Sequence, residues 1–399
     1  MELTKKNEIK FYTTYTLYST AFIIASSSVL QTFLLEVGIN ESSVTGLVSF
    51  FQIMQSITMM LCSSFADRIK NVIKATAVSM LNLLLMFIPM LFFSVDAGHR
   101  SAAAIVFFVL GGLSSFVLGF YNVIFYKLPF HVLNMDHYGR ITANGGILHG
   151  ITGISVSAIM TYFIGKYEYF FVMRIIILIA IALVISAFLV AMRYKQIPDF
   201  AYEAKGKKKI NIFRYKPFLK LFIPNFTRGV GNGIIEVSVT IGYFFEVIDK
   251  VGGGYIVMIT NAAVILSCLI FSKISAKGRN GLISFVSSIV ILLVIPFMLI
   301  GKHTVVFLCC YGISYLAANV LGFATPVLVT ELVDYDVLGE YTAWRMMLFA
   351  IGSAVGGTAA IPLAKAIGGI PLFILAGLLF FTTGFGYFYY EKKSKAVHI

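Results

Sequence analysis

One stretch of the sequence, Phe218 to Val247, is apolar and long enough to cross a membrane, yet it carries ionisable residues. Four polar side chains recur in it at steps of three and four residues, namely Asn225, Arg228, Asn232 and Glu236. This spacing places all four on one face of a helix. Charged groups that face lipid cost at least a few kcal/mol, so we expect the face to contact protein or water, as in a solute or ion pathway. The alternative is a buried link that only fixes helix packing.

Two titratable side chains, Glu236 and His149, are predicted to couple protons to transport. Burial raises the pKa of a carboxyl group and a nearby arginine lowers it, so a changing distance between Glu236 and Arg228 would bind and release a proton. His149 lies in a second apolar stretch, and histidine titrates near neutral pH. The structural alternatives are a permanent ion pair for Glu236 and a hydrogen-bonded packing role for His149.

Neutral polar and aromatic residues in other apolar stretches are predicted to line the same path. Aromatic rings with hydroxyl groups suit sugars, because they offer both stacking and hydrogen bonds. Asparagine and glutamine could instead join neighbouring helices. The full predicted substrate-binding set is Tyr15, Ser19, Gln52, Gln55, Asn122, Tyr126, His149, Asn225, Arg228, Asn232, Glu236, Asn261, Tyr311, Tyr315 and Asn319.

The composition is that of an all-α integral membrane protein. Of 399 residues, 59% are hydrophobic and only 12% are charged, about half the charge of a soluble domain. The four cysteines lie in apolar stretches without metal-ligand spacing. A phosphate-binding loop of the GxxxxGK type is absent from the sequence, which argues against ATP-driven pumping. We therefore expect neither a cofactor nor a bound metal.

Hydropathy predicts about twelve transmembrane helices in two six-helix bundles. The predicted spans are 11–35, 43–64, 75–95, 102–126, 141–164, 169–192, 218–247, 255–271, 282–300, 305–329, 342–366 and 370–390. The bundles, residues 1–192 and 217–399, are joined by a basic linker, residues 193–216.

The distribution of lysine and arginine predicts the orientation. With the N-terminus in the cytoplasm, 23 of these 31 residues fall in inner segments and 5 in outer ones. This bias predicts that both termini are cytoplasmic and that the protein lies in the cell membrane. The net charge of +13 is then an orientation signal that also favours anionic lipid. It does not indicate nucleic-acid binding.

This layout resembles that of the major facilitator transporters, in which two six-span halves enclose a solute site. Ser64 to Arg68 (SFADR) resembles the signature that these transporters carry after the second span. Glu331 to Arg345 is similar to an acidic element of the glycoside–pentoside–hexuronide:cation symporter family, and Asn122 to Arg140 resembles the matching segment of its first half. The resemblance implies the major facilitator fold and a sugar or glycoside as solute.

The sequence departs from that family at its cation site. The positions of the family's carboxylates are occupied here by Gln55, Met59 and Asn122. Hard cations such as Na⁺ prefer charged oxygen ligands. We therefore expect proton-coupled or uncoupled transport rather than sodium coupling.

Charged residues at the inner ends of the spans are predicted to act as gates. They would hold the two halves together when the inner side is closed. The alternative interpretation is that they are ordinary solvated charges of the loops. The predicted gating residues are Asp67, Arg68, Asp136, Arg140, Asp334, Asp336 and Arg345.

The sequence thus predicts a monomeric secondary transporter that works by alternating access on a sugar, a glycoside or a related polar solute such as a sugar acid. Its partners would be the small-molecule solute, protons and the lipid bilayer. An exporter of amphipathic compounds is the alternative within transport. A membrane acyltransferase is the alternative of another class, because His131 and Asp136 have the spacing of a histidine base and its orienting carboxylate.

Overall fold

The computed structural model describes residues 2–63, 69, 71–94, 100–125, 128–133, 138–196, 216–274, 279–332 and 335–397. All regular structure in these ranges is helical. The helices of the first half are α1 (Glu2–Ile24), α2 (Ser27–Glu36), α3 (Glu41–Ser63), α4 (Val72–Ser79), α5 (Leu84–Phe93), α6 (Arg100–Val106), α7 (Gly112–Phe125), α8 (Leu128–Val132), α9 (Tyr138–Lys166) and α10 (Tyr169–Ala191). Those of the second half are α11 (Lys216–Glu236), α12 (Ser238–Phe244), α13 (Gly252–Ile274), α14 (Asn280–Val294), α15 (Thr304–Leu332), α16 (Tyr335–Ile367) and α17 (Gly369–Val397).

Eleven segments of the described residues are helical, long and apolar enough to cross a membrane. This confirms the predicted all-α membrane fold. The predicted seventh span, 218–247, is not among these eleven segments of the described residues, and its helix is interrupted at Val237, where φ is −97° and ψ is 17°. The polar face therefore ends at Glu236, the last residue of α11, directly before the break.

The chain forms two compact units. The first contains Met1–Asn40 and Met54–Lys205, and the second contains Glu41–Ile53 and Gly206–Ile399. In the first unit α1 packs on α9 and α10, and in the second α11 packs chiefly on α16 and α17. The N-terminal part of α3 thus belongs to the second unit, where Val48 joins the hydrophobic core.

The contact between α11 and α16 depends on glycine in both helices. A methyl group at Gly229 would overlap the backbone oxygen of Phe349, and one at Gly233 would overlap that of Ser353. A methyl group at Gly356 would in turn overlap the backbone oxygen of Val230. Small residues allow helix backbones to approach this closely in a membrane. The polar face of α11 is therefore held on a rigid pair of helices.

Candidate functional site

Asn225 fastens α11 to two neighbouring helices. The Tyr387 hydroxyl donates a 2.7 Å hydrogen bond to Asn225 Oδ1, and Asn225 Nδ2 donates to the Leu221 carbonyl at 2.8 Å and to the Tyr341 hydroxyl at 3.4 Å. All three polar side chains are buried. Buried polar groups that satisfy one another rigidify a core. These contacts favour the helix-joining role for Asn225.

Arg228 is surrounded by side chains of its own unit. Its Nη1 donates a 3.3 Å hydrogen bond to Thr325 Oγ1 on α15, and its guanidinium carbon lies 5.1 Å from the centroid of the Phe349 ring on α16. It also interacts with the Tyr387 hydroxyl on α17. A side chain at Gly322 would come within 3.0 Å of Nη2. Arg228 therefore links three helices to α11, while part of its side chain stays accessible.

Glu236 lies in a different cluster, with two tyrosines of α15. Its carboxylate interacts electrostatically with the Tyr311 and Tyr315 hydroxyls. The two rings stack with centroids 5.7 Å apart and planes 22° from parallel. Asn319 Nδ2 donates a 2.8 Å hydrogen bond to the Tyr315 carbonyl. The predicted stripe on α15 and the end of α11 thus form one cluster, which we call the tyrosine–carboxylate cluster (Glu236, Tyr311, Tyr315 and Asn319).

The structure does not bring Glu236 to Arg228. On a continuous helix their axial separation is about 12 Å. The guanidinium contacts Thr325, whereas the carboxylate lies near Tyr311, well over a turn away along α15. A direct ion pair between them, one alternative drawn from the sequence, is therefore not formed in this structure.

In the first unit, Tyr15 and His149 lie together. The Tyr15 ring stacks on Phe11 and Phe125, with centroids 6.2 Å and 6.1 Å away, and meets the His149 ring edge-on at 6.3 Å. His149 Nδ1 is buried and has no hydrogen-bond partner among the described atoms. Ser19 is also buried and donates to the Thr16 carbonyl at 3.2 Å. Around Tyr15, α1 therefore meets α9 through an aromatic contact.

The predicted amide residues have separate surroundings. The Ser353 hydroxyl donates a 2.6 Å hydrogen bond to Gln52 Oε1 within the second unit. The backbone oxygen of Gln55 packs against Gly119 in the first unit. Asn261 Nδ2 donates to the carbonyl one turn earlier, that of Val257, at 2.8 Å. Apart from the buried Asn225, the predicted amide residues are half-buried, namely Gln52, Gln55, Asn122, Asn232, Asn261 and Asn319.

Most predicted gating residues lie outside the part of the chain that the structure describes. This holds for Asp67, Arg68, Asp136 and Asp334, and for the predicted binding residue Tyr126. Two further gating residues, Arg140 and Asp336, lie in helices, but their side chains are not described. Arg345 is half-buried, and its Nε has no hydrogen-bond partner among the described atoms. The gating role stays a prediction.

Sequence reasoning missed the residues that complete these clusters. Tyr341, Phe349 and Tyr387 lie on α16 and α17, far along the chain from the α11 residues that they contact. Their only signal in the sequence is an aromatic residue in an apolar span, which is common. The pairing depends on the tertiary structure.

A family model described as Major Facilitator Superfamily matches residues 11–357 of the chain. The chain belongs to this superfamily. As a major facilitator protein it is a membrane transporter and not an enzyme, so the acyltransferase alternative is excluded. The narrower resemblance to the glycoside–pentoside–hexuronide:cation symporters is not confirmed by this match.

Solved structures of other major facilitator transporters share this fold. The nucleoside transporter NupG has a TM-score of 0.68 at 14% identity, with 97% of this chain and 98% of that chain covered. A mutant of NupG has a TM-score of 0.72 at 12% identity, with 96% of this chain and 98% of that chain covered. The human organic anion transporter MFSD10 (TETRAN) has a TM-score of 0.61 at 13% identity, with 96% of this chain and 99% of that chain covered. Among curated proteins, none matches the sequence. At such identities the likeness shows the fold alone.

Proposed function

We propose that this major facilitator protein transports neutral glycosides, including nucleosides, by alternating access, with Glu236 as the proton-binding residue. The observation that carries the proposal is the tyrosine–carboxylate cluster. Stacked tyrosine rings suit the flat face of a sugar or a nucleobase, and a carboxylate suits the hydroxyl groups of a sugar. The resemblance to solved nucleoside transporters supports the same solute class.

A neutral solute is favoured over a sugar acid by the surroundings of Arg228. A solute carboxylate would need a guanidinium with free donors in a bidentate geometry. Here the guanidinium donates to Thr325, interacts with the Tyr387 hydroxyl and lies over the Phe349 ring, so fewer of its five N–H donors are left for a solute. We therefore assign Arg228 to the support of α11 rather than to an anionic solute.

Proton coupling is favoured over sodium coupling by the available ligands. Gln55, Met59 and Asn122 provide no carboxylate where the symporter family has one. Among the described residues, no group of three or more histidine, cysteine or acidic side chains could hold a metal ion. Glu236 is the acidic side chain of the polar face of α11, and a carboxylate within electrostatic range of tyrosine hydroxyl groups can bind and release a proton.

The test is uptake into proteoliposomes that contain the purified protein. The panel comprises nucleosides, neutral glycosides and uronates, each with a proton gradient, with a sodium gradient and with neither. We expect uptake of neutral glycosides or nucleosides that a proton gradient increases. Uptake of uronates alone would refute the neutral-solute assignment, and uptake driven by sodium alone would refute the coupling.

Replacing Tyr315 tests the cluster itself. Tyr315→Ala removes one ring of the stack, and loss of stacking costs about 1 kcal/mol or more, so KM should rise at least about fivefold. Tyr162→Ala is the matched control, because Tyr162 is exposed on α9 of the first unit. Equal KM values for Tyr315→Ala and the unmodified protein would contradict a solute contact at this ring.

A further inference from the structure

An apolar groove on the surface of the first unit lies apart from the predicted solute-binding residues. It has a volume of about 410 Å³, runs between α1, α9 and α10, and its described lining presents only apolar surface. Met160 and Val172 lie buried in the groove, and Phe171 and Ile179 are exposed beside them. Two residues of the lining carry hydroxyl groups, Thr20 and Tyr167, and the Thr20 hydroxyl donates to the Thr16 carbonyl at 2.7 Å.

The groove has the depth of one membrane leaflet. Along α10 it extends from Phe171 to Leu183, which is about 18 Å of helix. The hydrocarbon core of a bilayer is about 30 Å thick, so one leaflet accounts for about half of that. Both α9 and α10 are long and apolar enough to span the membrane. The groove is therefore exposed to lipid chains rather than to water.

A cation lies at the rim of the groove. Lys166 is the last residue of α9, and its ammonium nitrogen is 5.8 Å from the ring centroid of Tyr162 and 5.6 Å from that of Tyr167. Tyr167 also lines the groove. Both distances are within the range of cation–π attraction, which orients the ammonium group beside the groove. Tyrosine and lysine are residues that anchor helices at the membrane surface.

We propose that this groove binds one glycerophospholipid, with an acyl chain between α1, α9 and α10 and the phosphate at Lys166. A phospholipid has the required chemistry, because its phosphate is anionic and its chain is apolar over the depth of a leaflet. The lysine and arginine distribution predicts that this end of α9 faces outwards, so the lipid belongs to the outer leaflet. The site is independent of the proposed solute, because the two share no residue.

The test is native mass spectrometry of the full-length protein in detergent, titrated with palmitoyl-oleoyl phosphatidylglycerol. The unmodified protein should bind a first lipid that persists after activation in the gas phase. Lys166→Gln removes the cation and should weaken this first binding about fivefold. Ile179→Trp places an indole ring in the groove and should remove most of the first adduct.

Two matched controls separate the site from general lipid adhesion. Lys365→Gln removes an exposed lysine of the second unit whose ammonium also lies over an aromatic ring, that of Phe244, at 5.5 Å. Ile185→Trp changes an exposed isoleucine of α10 that does not line the groove. Both should change binding by less than about twofold. Unchanged binding in both Lys166→Gln and Ile179→Trp would overturn the proposal. An effect of Ile179→Trp alone would also overturn it, since it would indicate an apolar additive such as detergent.

Discussion

Arg228 and Glu236 lie on the same face of α11 but have different neighbours. Arg228 contacts a hydroxyl group and an aromatic ring of the helices on which α11 packs. Glu236 ends the helix beside two stacked tyrosines. Charge within a membrane is retained where it is paired or functional. These contacts are consistent with the proposal above that the arginine supports the helix and that the carboxylate acts in transport.

Replacing Glu236 by glutamine should remove proton coupling. The amide keeps the size of the side chain but cannot ionise, so a proton gradient should no longer increase solute uptake, while exchange of labelled for unlabelled solute continues. Gradient-driven uptake and solute exchange are both measured in proteoliposomes that contain the variant. Glu246→Gln, an exposed residue next to α12, is the matched control. If Glu236→Gln retained gradient-driven uptake, its coupling role would be refuted.

Replacing Arg228 by lysine should destabilise the protein more than it changes solute affinity. Lysine cannot reproduce the planar contact with the Phe349 ring together with the hydrogen bond to Thr325. We expect a loss of about 1–3 kcal/mol, visible as a lower melting temperature in detergent. The control is Arg174→Lys. In the unmodified protein, Arg174 Nε donates a 3.3 Å hydrogen bond to the Phe170 carbonyl of its own helix. An unchanged melting temperature with a raised KM would instead make Arg228 a solute contact.

At the scale of the helices, the pair α11 and α16 positions the candidate site. Their backbones are in direct contact where glycines of one helix face carbonyl groups of the other. Close contact maximises van der Waals packing, on which helix association in a membrane depends. The break at Val237 then ends α11 at Glu236. This geometry sets where the carboxylate meets the tyrosines of α15.

Gly233→Ala should therefore loosen the α11–α16 pair. The added methyl group would overlap the backbone oxygen of Ser353, and such overpacking lowers the free energy of unfolding by about 1–3 kcal/mol. The melting temperature should fall, and transport should fall with it. Gly165→Ala, where a methyl group meets nothing within 4 Å, should leave both unchanged or slightly raise stability. A normal melting temperature for Gly233→Ala would show that the two helices are able to separate without cost.

At the scale of the whole molecule, α3 belongs to both compact units. Residues 41–53 group with the second unit and the remainder of the helix with the first. Two contacts join residues 41–53 to the second unit. The Ser353 hydroxyl donates a hydrogen bond to Gln52, and the Ser49 hydroxyl packs against Gly357. Alternating access, as proposed, requires the halves to move relative to each other. The bundles predicted from the sequence assign residues 41–53 to the first half; if this segment moves with that half, its contacts in the second unit should break and re-form during transport.

Cross-linking of this contact should stop transport. In a background without the native cysteines, Gln52→Cys and Ser353→Cys would be joined by a short, reducible bifunctional thiol reagent. We expect uptake to fall to the level of empty vesicles and to recover after reduction, because one of the required contacts can no longer open. Each single cysteine variant treated with the same reagent is the control. Full uptake by the cross-linked double variant would show that this contact is static.

Hydropathy and charge were enough to predict an all-α membrane protein, since a chain in lipid must satisfy its backbone polar groups within helices. The transport function was predicted from the ionisable face of one span and from the resemblance to the major facilitator layout. The spacing on α11 and on α15 also identified Glu236, Tyr311, Tyr315 and Asn319, because residues three or four apart share a helix face whatever that face contacts. The sequence did not predict which helix faces pack against each other. Only the tertiary structure separated Arg228 from Glu236, placed Tyr387 on Asn225 and formed the groove beside Lys166, because these contacts join helices that are remote in sequence and their packing depends on side-chain shape.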